Sequence, residues 1–185
     1  MADATFVGLN VNGPGLQVAV RPTGEEWSAE RDDHGIIETA EKLQEFKPQL
    51  VVMEALGGVE LPVAGTLAAV GLPFALISPR SIREFARAIG RLRPDQNHAG
   101  LLAQFAELVR PEARPMPEQV VEQIRALKTR RKQIEDMLAL ERLRLHQDSP
   151  SVFKDLKQHI QFLEKSYTAL GEEISRTVRA SCVWR

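Results

Sequence analysis

The prolines at positions 111, 115 and 117 constrain the fold of this chain more than any other feature. Proline lacks a backbone N–H and clashes with the preceding helical turn, so such a cluster cannot lie inside a helix and suits an exposed linker. Before the proline cluster, short apolar runs alternate with segments in which apolar residues recur at helical spacing. After the cluster, the apolar residues recur at helical spacing throughout. The sequence therefore predicts a globular domain over residues 1–112, a linker over 113–117 and a helical part over 118–181.

The first part has the pattern of an α/β domain. Two β-compatible runs flank the turn formers at residues 10–15 and predict a hairpin, and a third strand is expected over residues 25–29. Amphipathic helical spacing then alternates with buried-strand runs at residues 50–53 and 74–77. This alternation predicts an α/β fold in which helices cover a sheet.

The second part has the pattern of a helical hairpin. Two long helical segments, residues 118–146 and 151–180, are separated by Asp148-Ser149-Pro150. In the second segment apolar residues recur at steps of three and four, which is the heptad seam of a coiled coil. The seam residues are Phe153, Leu156, Ile160, Leu163, Tyr167, Leu170 and Ile174. The first segment is less regular because Arg131 and Glu141 fall on its seam. We expect an antiparallel coiled-coil hairpin whose seam residues also serve oligomerisation.

Charge and cysteine content narrow the possible classes of protein. The 24 Lys and Arg residues nearly balance the 25 Asp and Glu residues, so a nucleic-acid surface would depend on local clustering. The single cysteine, Cys182, cannot form an internal disulfide, and no Cys/His cluster has the spacing of metal ligands. No basic start precedes a long apolar stretch, and no run approaches the roughly 18 apolar residues of a membrane span. We therefore expect a cytoplasmic protein without membrane contact.

Four residues are candidates for a catalytic or metal site. Glu54 follows a buried strand, where open α/β sheets place ligands, and Asp95 lies in a helix interruption from which it could approach Glu54. Asn10 ends the first strand as a weak oxygen ligand for magnesium, and His98 suits manganese or zinc better. Each residue also has an ordinary structural interpretation, which is capping for Glu54 and Asn10 and a solvent-facing or hydrogen-bonded side chain for His98.

Two basic groups are candidates for contacts with nucleic-acid phosphates. The first forms one face of a helix opposite an apolar face, and consists of Arg80, Arg83, Arg87 and Arg91, extended by Arg93. The second lies on the first long helix and includes Arg125, Lys128 and Arg131. Both patterns suit phosphate groups, and both are also typical of solvated, charged helix faces.

These motifs, in this order, resemble the IS-one-ten (DEDD) family of insertion-sequence transposases. The hairpin that contains Asn10 resembles the family's first motif, in which the strand ends in a catalytic Asp. Residues 51–58 are similar to the second motif, with Glu54 at the catalytic Glu, and residues 72–92 look like the family's most recognisable run. The third family motif has two Asp residues three apart, followed by Ala; here Asp95 is kept and His98 replaces the second Asp. The resemblance covers essentially the whole chain.

The resemblance implies a fold and an activity. The fold would be RNase H-like (RuvC-like), with four acidic residues that bind magnesium and a helical hairpin that mediates assembly into a dimer or larger homo-oligomer. The activity would be DNA transposition, a site-specific recombination directed by a structured guide RNA. A nucleophilic serine would lie in a further carboxyl-terminal domain, beyond Arg185, so that this chain would be an amino-terminal fragment.

Two of the four acidic positions are altered in this chain. Asn10 lacks the charge of the family's Asp, and His98 replaces an anion with an imidazole. Losing two negative charges should weaken magnesium affinity severely. We therefore expect a transposase-lineage protein that binds DNA or a guide RNA without cleaving DNA on its own.

Two alternative functions stay open at this point. An active metal-dependent nuclease or recombinase would hold a different divalent ion, such as manganese, with the altered ligands. A regulatory or interaction protein would assemble with an intact transposase through a mixed coiled coil. Titration of manganese against magnesium, followed by a cleavage assay, tests the first alternative. Co-purification with a full-length homologue tests the second.

Overall fold

The structure is a computed structural model that describes residues 4–13, 15–90, 97–113, 116–147 and 150–181. Its sheet has strands β1 (Phe6–Asn10), β2 (Gly15–Arg21), β3 (Glu26–Glu30), β4 (Leu50–Glu54) and β5 (Phe74–Ile77). Its helices are α1 (Asp33–Phe46), α2 (Leu61–Ala69), α3 (Pro79–Ala88), α4 (His98–Val109), α5 (Glu118–Gln147) and α6 (Phe153–Ala180), with a 3-10 turn at Pro150–Val152. The α/β class expected from the alternating pattern is confirmed.

The five strands form one mixed sheet in the order β3-β2-β1-β4-β5. Strands β1, β2 and β3 form an antiparallel meander, whereas β4 is parallel to both β1 and β5. Parallel neighbours need a crossover connection, and α1 and α2 supply one each. The carboxyl ends of β1, β4 and β5 therefore lie together at one edge of the sheet.

Helices cover both faces of this sheet. Successive side chains of a strand point to opposite faces, so Val7 and Leu9 face one way and Phe6 and Gly8 the other. The first face packs against α1 and α2 in the larger core cluster. The second face packs against α3 and α4 in a smaller cluster that includes Phe105. The domain is thus three layers deep.

Helix α4 lies directly on the backbone of β1 at Gly8. A Cβ at Gly8 would come within 2.1 Å of the carbonyl oxygen of Ala99 and within 2.2 Å of the backbone nitrogen of Ala103. No side chain fits this space, because non-bonded heavy atoms do not approach so closely. Because residue 8 is glycine, α4 can pack directly on the sheet. The first residue of this helix, His98, then lies at the carboxyl edge.

Helices α5 and α6 form an antiparallel hairpin with its own distal core of Ile134, Leu138, Ile160 and Leu163. The irregular polar positions on the α5 seam have polar partners in the structure. Glu141 pairs with Arg144 at 3.0 Å and with His159 at 3.5 Å. Arg131 reaches back to Asp33 on α1 at 2.5 Å. The two polar residues that interrupt the apolar pattern thus form three polar contacts.

The base of the hairpin belongs to the core of the domain. Ile124 of α5 and both Ile174 and Val178 of α6 belong to the larger core cluster and surround Gly65 of α2. Met116, between the second and third prolines, is buried in the same cluster. The physical reason is that α2 is apolar around most of its circumference and needs cover on its outer side as well. The boundary predicted at the prolines therefore divides the chain into two segments, but both segments contribute residues to the same core.

Candidate functional site

The ends of β1 and β4 bring Asn10 and Glu54 to the same level of the sheet. The parallel register pairs Gly8 with Val52, and both site residues lie two positions further along their strands. Because side chains alternate, both point to the face covered by α4. Each is 8% exposed. A buried polar pair thus lies where α4 begins.

His98 forms a direct contact with Glu54. The His98 Nε2 and Glu54 Oε2 atoms are 2.7 Å apart, and the two side chains are 31% and 9% exposed. The start of α4 is fixed by Asn97, whose side-chain oxygen accepts a hydrogen bond from the backbone N–H of Gly100. When protonated, the imidazole supplies positive charge beside the carboxylate. His98 thus holds the Glu54 carboxylate through a contact within the chain.

Both the nitrogen and the oxygen of the Asn10 side-chain amide form hydrogen bonds. Its Nδ2 donates to Gln17 Oε1 at 3.0 Å, and its Oδ1 accepts from the backbone N–H of Asn12 at 3.0 Å. The second bond is the side-chain-to-backbone contact by which Asn stabilises a turn. Asn10 therefore caps the β1–β2 connection, as its structural interpretation predicts.

The described residues at this edge do not fit a magnesium ion. Magnesium demands octahedral oxygen coordination and is usually anchored by one or two free carboxylates. Here Glu54 is held by His98 and the Asn10 oxygen by a turn. Within the ranges that the structure describes, no group of three or more His, Cys, Asp or Glu residues is placed to hold a metal. Asp95, predicted as the other metal ligand, lies outside the described residues.

Helix α3 begins at the same edge of the sheet. Ile77, the last residue of β5, lies opposite Glu54, and the next residue, Ser78, caps α3 by accepting from the backbone N–H of Ser81. Ile82 is 1% exposed and anchors the inner side of the helix. The arginine stripe, defined here as Arg80, Arg83 and Arg87, is exposed on the outer side. Arg91 and Arg93, which the sequence adds to this stripe, lie outside the described residues.

One arginine of the stripe is partly neutralised. Arg80 pairs with Glu84 through a 2.8 Å contact in which both side chains are mostly exposed. Within the described part of the chain, Arg83 and Arg87 have no ion pair. An exposed pair of this kind contributes little energy and is readily exchanged for another partner. The stripe therefore presents cationic charge on a helix that begins at the same edge of the sheet as the Glu54–His98 contact.

The second basic group has partners inside the molecule. Arg125 donates to the carbonyl oxygen of Ala69 at 2.6 Å and pairs with Glu122 at 2.5 Å. Lys128 donates to the Thr66 hydroxyl. With Arg131 on Asp33, these bonds tie α5 to α1 and α2. Their contact with nucleic acid stays a prediction, and the structure adds a bracing role that sequence reasoning missed because the partners are distant along the chain.

The residues predicted to serve oligomerisation lie within the single chain's own hairpin. Leu156, Ile160, Leu163 and Ile174 are buried, and the Tyr167 hydroxyl donates to Asp33. Phe153 and Leu170 are half-buried. The seam of α6 is thus covered by α5 and α2 within one chain, and its part in oligomerisation stays a prediction.

Glu60 is a buried carboxylate that sequence reasoning missed. It is 0% exposed, and its Oε2 accepts from the backbone N–H of Gly58 at 3.1 Å. This bond closes the Gly57-Gly58 turn that follows Glu54, in which both glycines have positive φ. An acid placed between a double glycine and the start of a helix was the available signal.

Comparison with protein-family models gives no match, and no curated protein matches the chain. Among the described helices, none combines the length and apolar character needed to cross a membrane. The structural class of the protein is therefore defined by its fold. It is an α/β protein with a mixed five-stranded sheet, a glutamate–histidine contact at the carboxyl edge and a helical hairpin fused to its core.

Proposed function

We propose that this chain is the nucleic-acid-binding, RNase H-like domain of an insertion-sequence transposase of IS-one-ten type, and that it does not cleave DNA on its own. The observation that carries the proposal is the exposed arginine stripe on α3, the helix that begins at the edge of the sheet where Glu54 contacts His98. The fold assignment is supported by the order of the mixed sheet, by helices on both faces, and by Glu54 at the end of β4. DNA and a structured guide RNA are the proposed partners.

The loss of cleavage follows from charge. Two-metal phosphoryl transfer needs several carboxylates around two closely spaced divalent ions. Of the described residues at the altered positions, Asn10 is neutral and bound in a turn, and His98 is bound to the one carboxylate nearby. A cation would have to displace His98 from Glu54 before it could bind. The edge of the sheet is therefore suited to holding a nucleic-acid backbone rather than to breaking it.

The first test measures phosphate contacts at the arginine stripe. Fluorescence anisotropy of labelled duplex DNA and structured RNA is expected to show an affinity whose logarithm falls linearly with log salt. In the Arg83→Ala/Arg87→Ala variant the slope should be shallower by about two units, since each phosphate contact releases about one counterion.

A matched pair on the hairpin provides the control for this test. Arg130→Ala/Arg142→Ala also removes two exposed arginines, but from α5. We expect this variant to keep the parent slope. An equal loss of slope in both variants, or no binding at modest salt, would contradict phosphate binding at the stripe.

The second test restores the acidic positions. Asn10→Asp/His98→Asp returns two carboxylates to the edge that holds Glu54, so the variant should gain affinity for magnesium. When the metal is present at about one hundred times its Kd, it should stabilise the variant by roughly 3 kcal/mol. Thermal unfolding with and without magnesium measures this effect.

The parent protein should show no comparable stabilisation by magnesium. Adding Glu54→Gln to the restored variant should abolish the gain, because it removes the carboxylate between the two new ones. Equal stabilisation of parent and variant, or magnesium-dependent cleavage by the parent, would refute the proposed loss of the metal site.

A further inference from the structure

A cavity of about 730 Å³ lies between the α/β domain and the hairpin. Its walls come from the β3–α1 turn and from α1, α2, α5 and α6, so it lies on the face of the sheet opposite α4. Sites for small molecules usually have volumes of roughly 300 to 1,000 Å³. Neither the Glu54–His98 contact nor the arginine stripe contributes to its lining.

Cations outnumber acids in the lining of this cavity. The cations are Arg31, Lys128, Arg131, Arg176 and Arg179, and the acids are Asp32, Asp33 and Glu172. Two of the acids are already engaged, since Asp32 caps α1 through the backbone N–H of Gly35 and Asp33 accepts from Arg131 and Tyr167. The walls thus carry an excess of positive charge that favours an anionic ligand.

The floor of the cavity contains one buried hydrogen-bond donor that lacks an acceptor among the described residues. The Arg131 guanidinium lies 4.1 Å from the centre of the Tyr167 ring, and its buried Nε has no acceptor among the described residues. Burial lowers the pKa of the neighbouring Lys128, although Asp33 acts in the opposite direction. A buried donor without a partner is costly. An anion on this floor would satisfy Arg131 and favour the charged form of Lys128.

The mouth of the cavity presents two further guanidinium groups. Arg176 and Arg179 lie three residues apart on α6, hence on one face, and both are exposed. Arg176 has no hydrogen bond or ion pair with any described residue, and the Arg179 hydrogen bond to the Gly57 carbonyl oxygen is long, at 3.4 Å. Guanidinium groups match the geometry of phosphate and bind it through paired hydrogen bonds. The mouth is therefore better suited to a phosphate than to a small halide-like anion.

Part of the cavity wall is apolar. Ile36, Val59, Pro62 and Ile174 line this part together with the Tyr167 ring. An apolar wall next to a cationic mouth suits a ligand with two unlike parts, one charged and one flat or apolar.

We propose that this cavity binds a phosphorylated small molecule of mononucleotide size. Arg176 and Arg179 hold its phosphate together with Lys128 and Arg131. The rest of the ligand lies against the wall formed by Ile36, Val59 and Pro62. The site goes beyond the proposed function, because it lies on the other face of the sheet and does not involve α3.

Isothermal titration calorimetry on the full 185-residue chain tests the site. The probes are inorganic phosphate, a 5′-mononucleotide, the matching nucleoside and an oligonucleotide that lacks terminal phosphates. We expect the mononucleotide to bind more tightly than phosphate and the nucleoside not to bind. Arg176→Ala/Arg179→Ala should weaken mononucleotide binding by roughly tenfold or more, since charge-assisted hydrogen bonds are lost.

Two variants make the outcome specific to this cavity. Arg130→Ala/Arg142→Ala removes the same charge from the hairpin surface and should bind the mononucleotide like the parent. Arg83→Ala/Arg87→Ala should also bind it like the parent, so that failure of this site and failure of nucleic-acid binding by α3 are distinguishable. Equal mononucleotide affinity in the parent and in Arg176→Ala/Arg179→Ala would refute the site. Tight oligonucleotide binding that needs Arg176 and Arg179 would instead assign them to a phosphodiester backbone and overturn the small-molecule ligand.

Discussion

Replacing Gly8 with alanine is expected to lower the free energy of unfolding by roughly 3 kcal/mol or more, because a methyl group cannot fit between β1 and α4. The new Cβ would lie 2.1 Å from the Ala99 carbonyl oxygen and 2.2 Å from the Ala103 nitrogen. Both are backbone atoms of one helix, so relief requires α4 to move away from the sheet. Thermal unfolding should show a decrease of roughly 6 to 12 °C in Tm for a chain of this size.

The matched control for this prediction is Gly171→Ala, in the middle of α6. There the added Cβ would lie 3.5 Å from the Arg131 guanidinium, which is ordinary van der Waals contact. Alanine is also the better helix former by about 1 kcal/mol, so this variant should be as stable as the parent or more stable. If Gly8→Ala were as stable as the parent, α4 would not lie on β1 as described, and the approach of His98 to Glu54 would lose its structural basis.

Replacing Ile124 with alanine is expected to lower the free energy of unfolding by roughly 2 to 5 kcal/mol. Ile124 is 0% exposed and, with Ile174 and Val178, packs against Gly65 of α2. The cavity left by removing the Ile124 side chain would therefore open between the domain and the hairpin. Because the two parts share this core, we also expect parent and variant to unfold in a single transition.

The shared core can be followed with two spectroscopic probes. Trp27 on β3 reports on the domain, in a Trp184→Phe background that leaves it the one tryptophan of the chain, and far-ultraviolet circular dichroism is dominated by the long helices. The two unfolding curves should coincide in urea. Leu138→Ala, in the distal hairpin core, is the control: because the chain is expected to unfold as one unit, it should shift both curves by the same amount. Two separate transitions in the parent would contradict a shared core.

Much of the secondary structure could be predicted from local patterns. The two helical segments predicted over residues 118–146 and 151–180 correspond to α5 and α6, because their apolar residues recur at helical spacing. The strand run that ends at Glu54 was predicted from its apolar character, and the position of Glu54 at the edge of the sheet followed from the alternation of strands and helices. The predicted approach of Asp95 to Glu54 falls outside the described residues, whereas His98, three residues further along the sequence, does contact Glu54.

The identity of polar partners could not be predicted in this way. Arg131 and Glu141 looked like irregularities in an apolar seam, yet each is bonded to groups that the pattern could not identify. Arg125 and Lys128 looked like free surface charge, yet both bind α2. Periodicity reports which side of a helix is buried, but it carries no information about which distant group lies opposite a given position.

The sequence by itself determined the α/β class and the two long helices, because these depend on periodicity over neighbouring residues. The tertiary structure alone decided three further features: the contact between Glu54 and His98, the close approach of α4 to Gly8, and the inclusion of the hairpin base in the domain core. Each joins segments far apart in the chain. Such contacts depend on how whole elements pack, and a local pattern does not specify that packing.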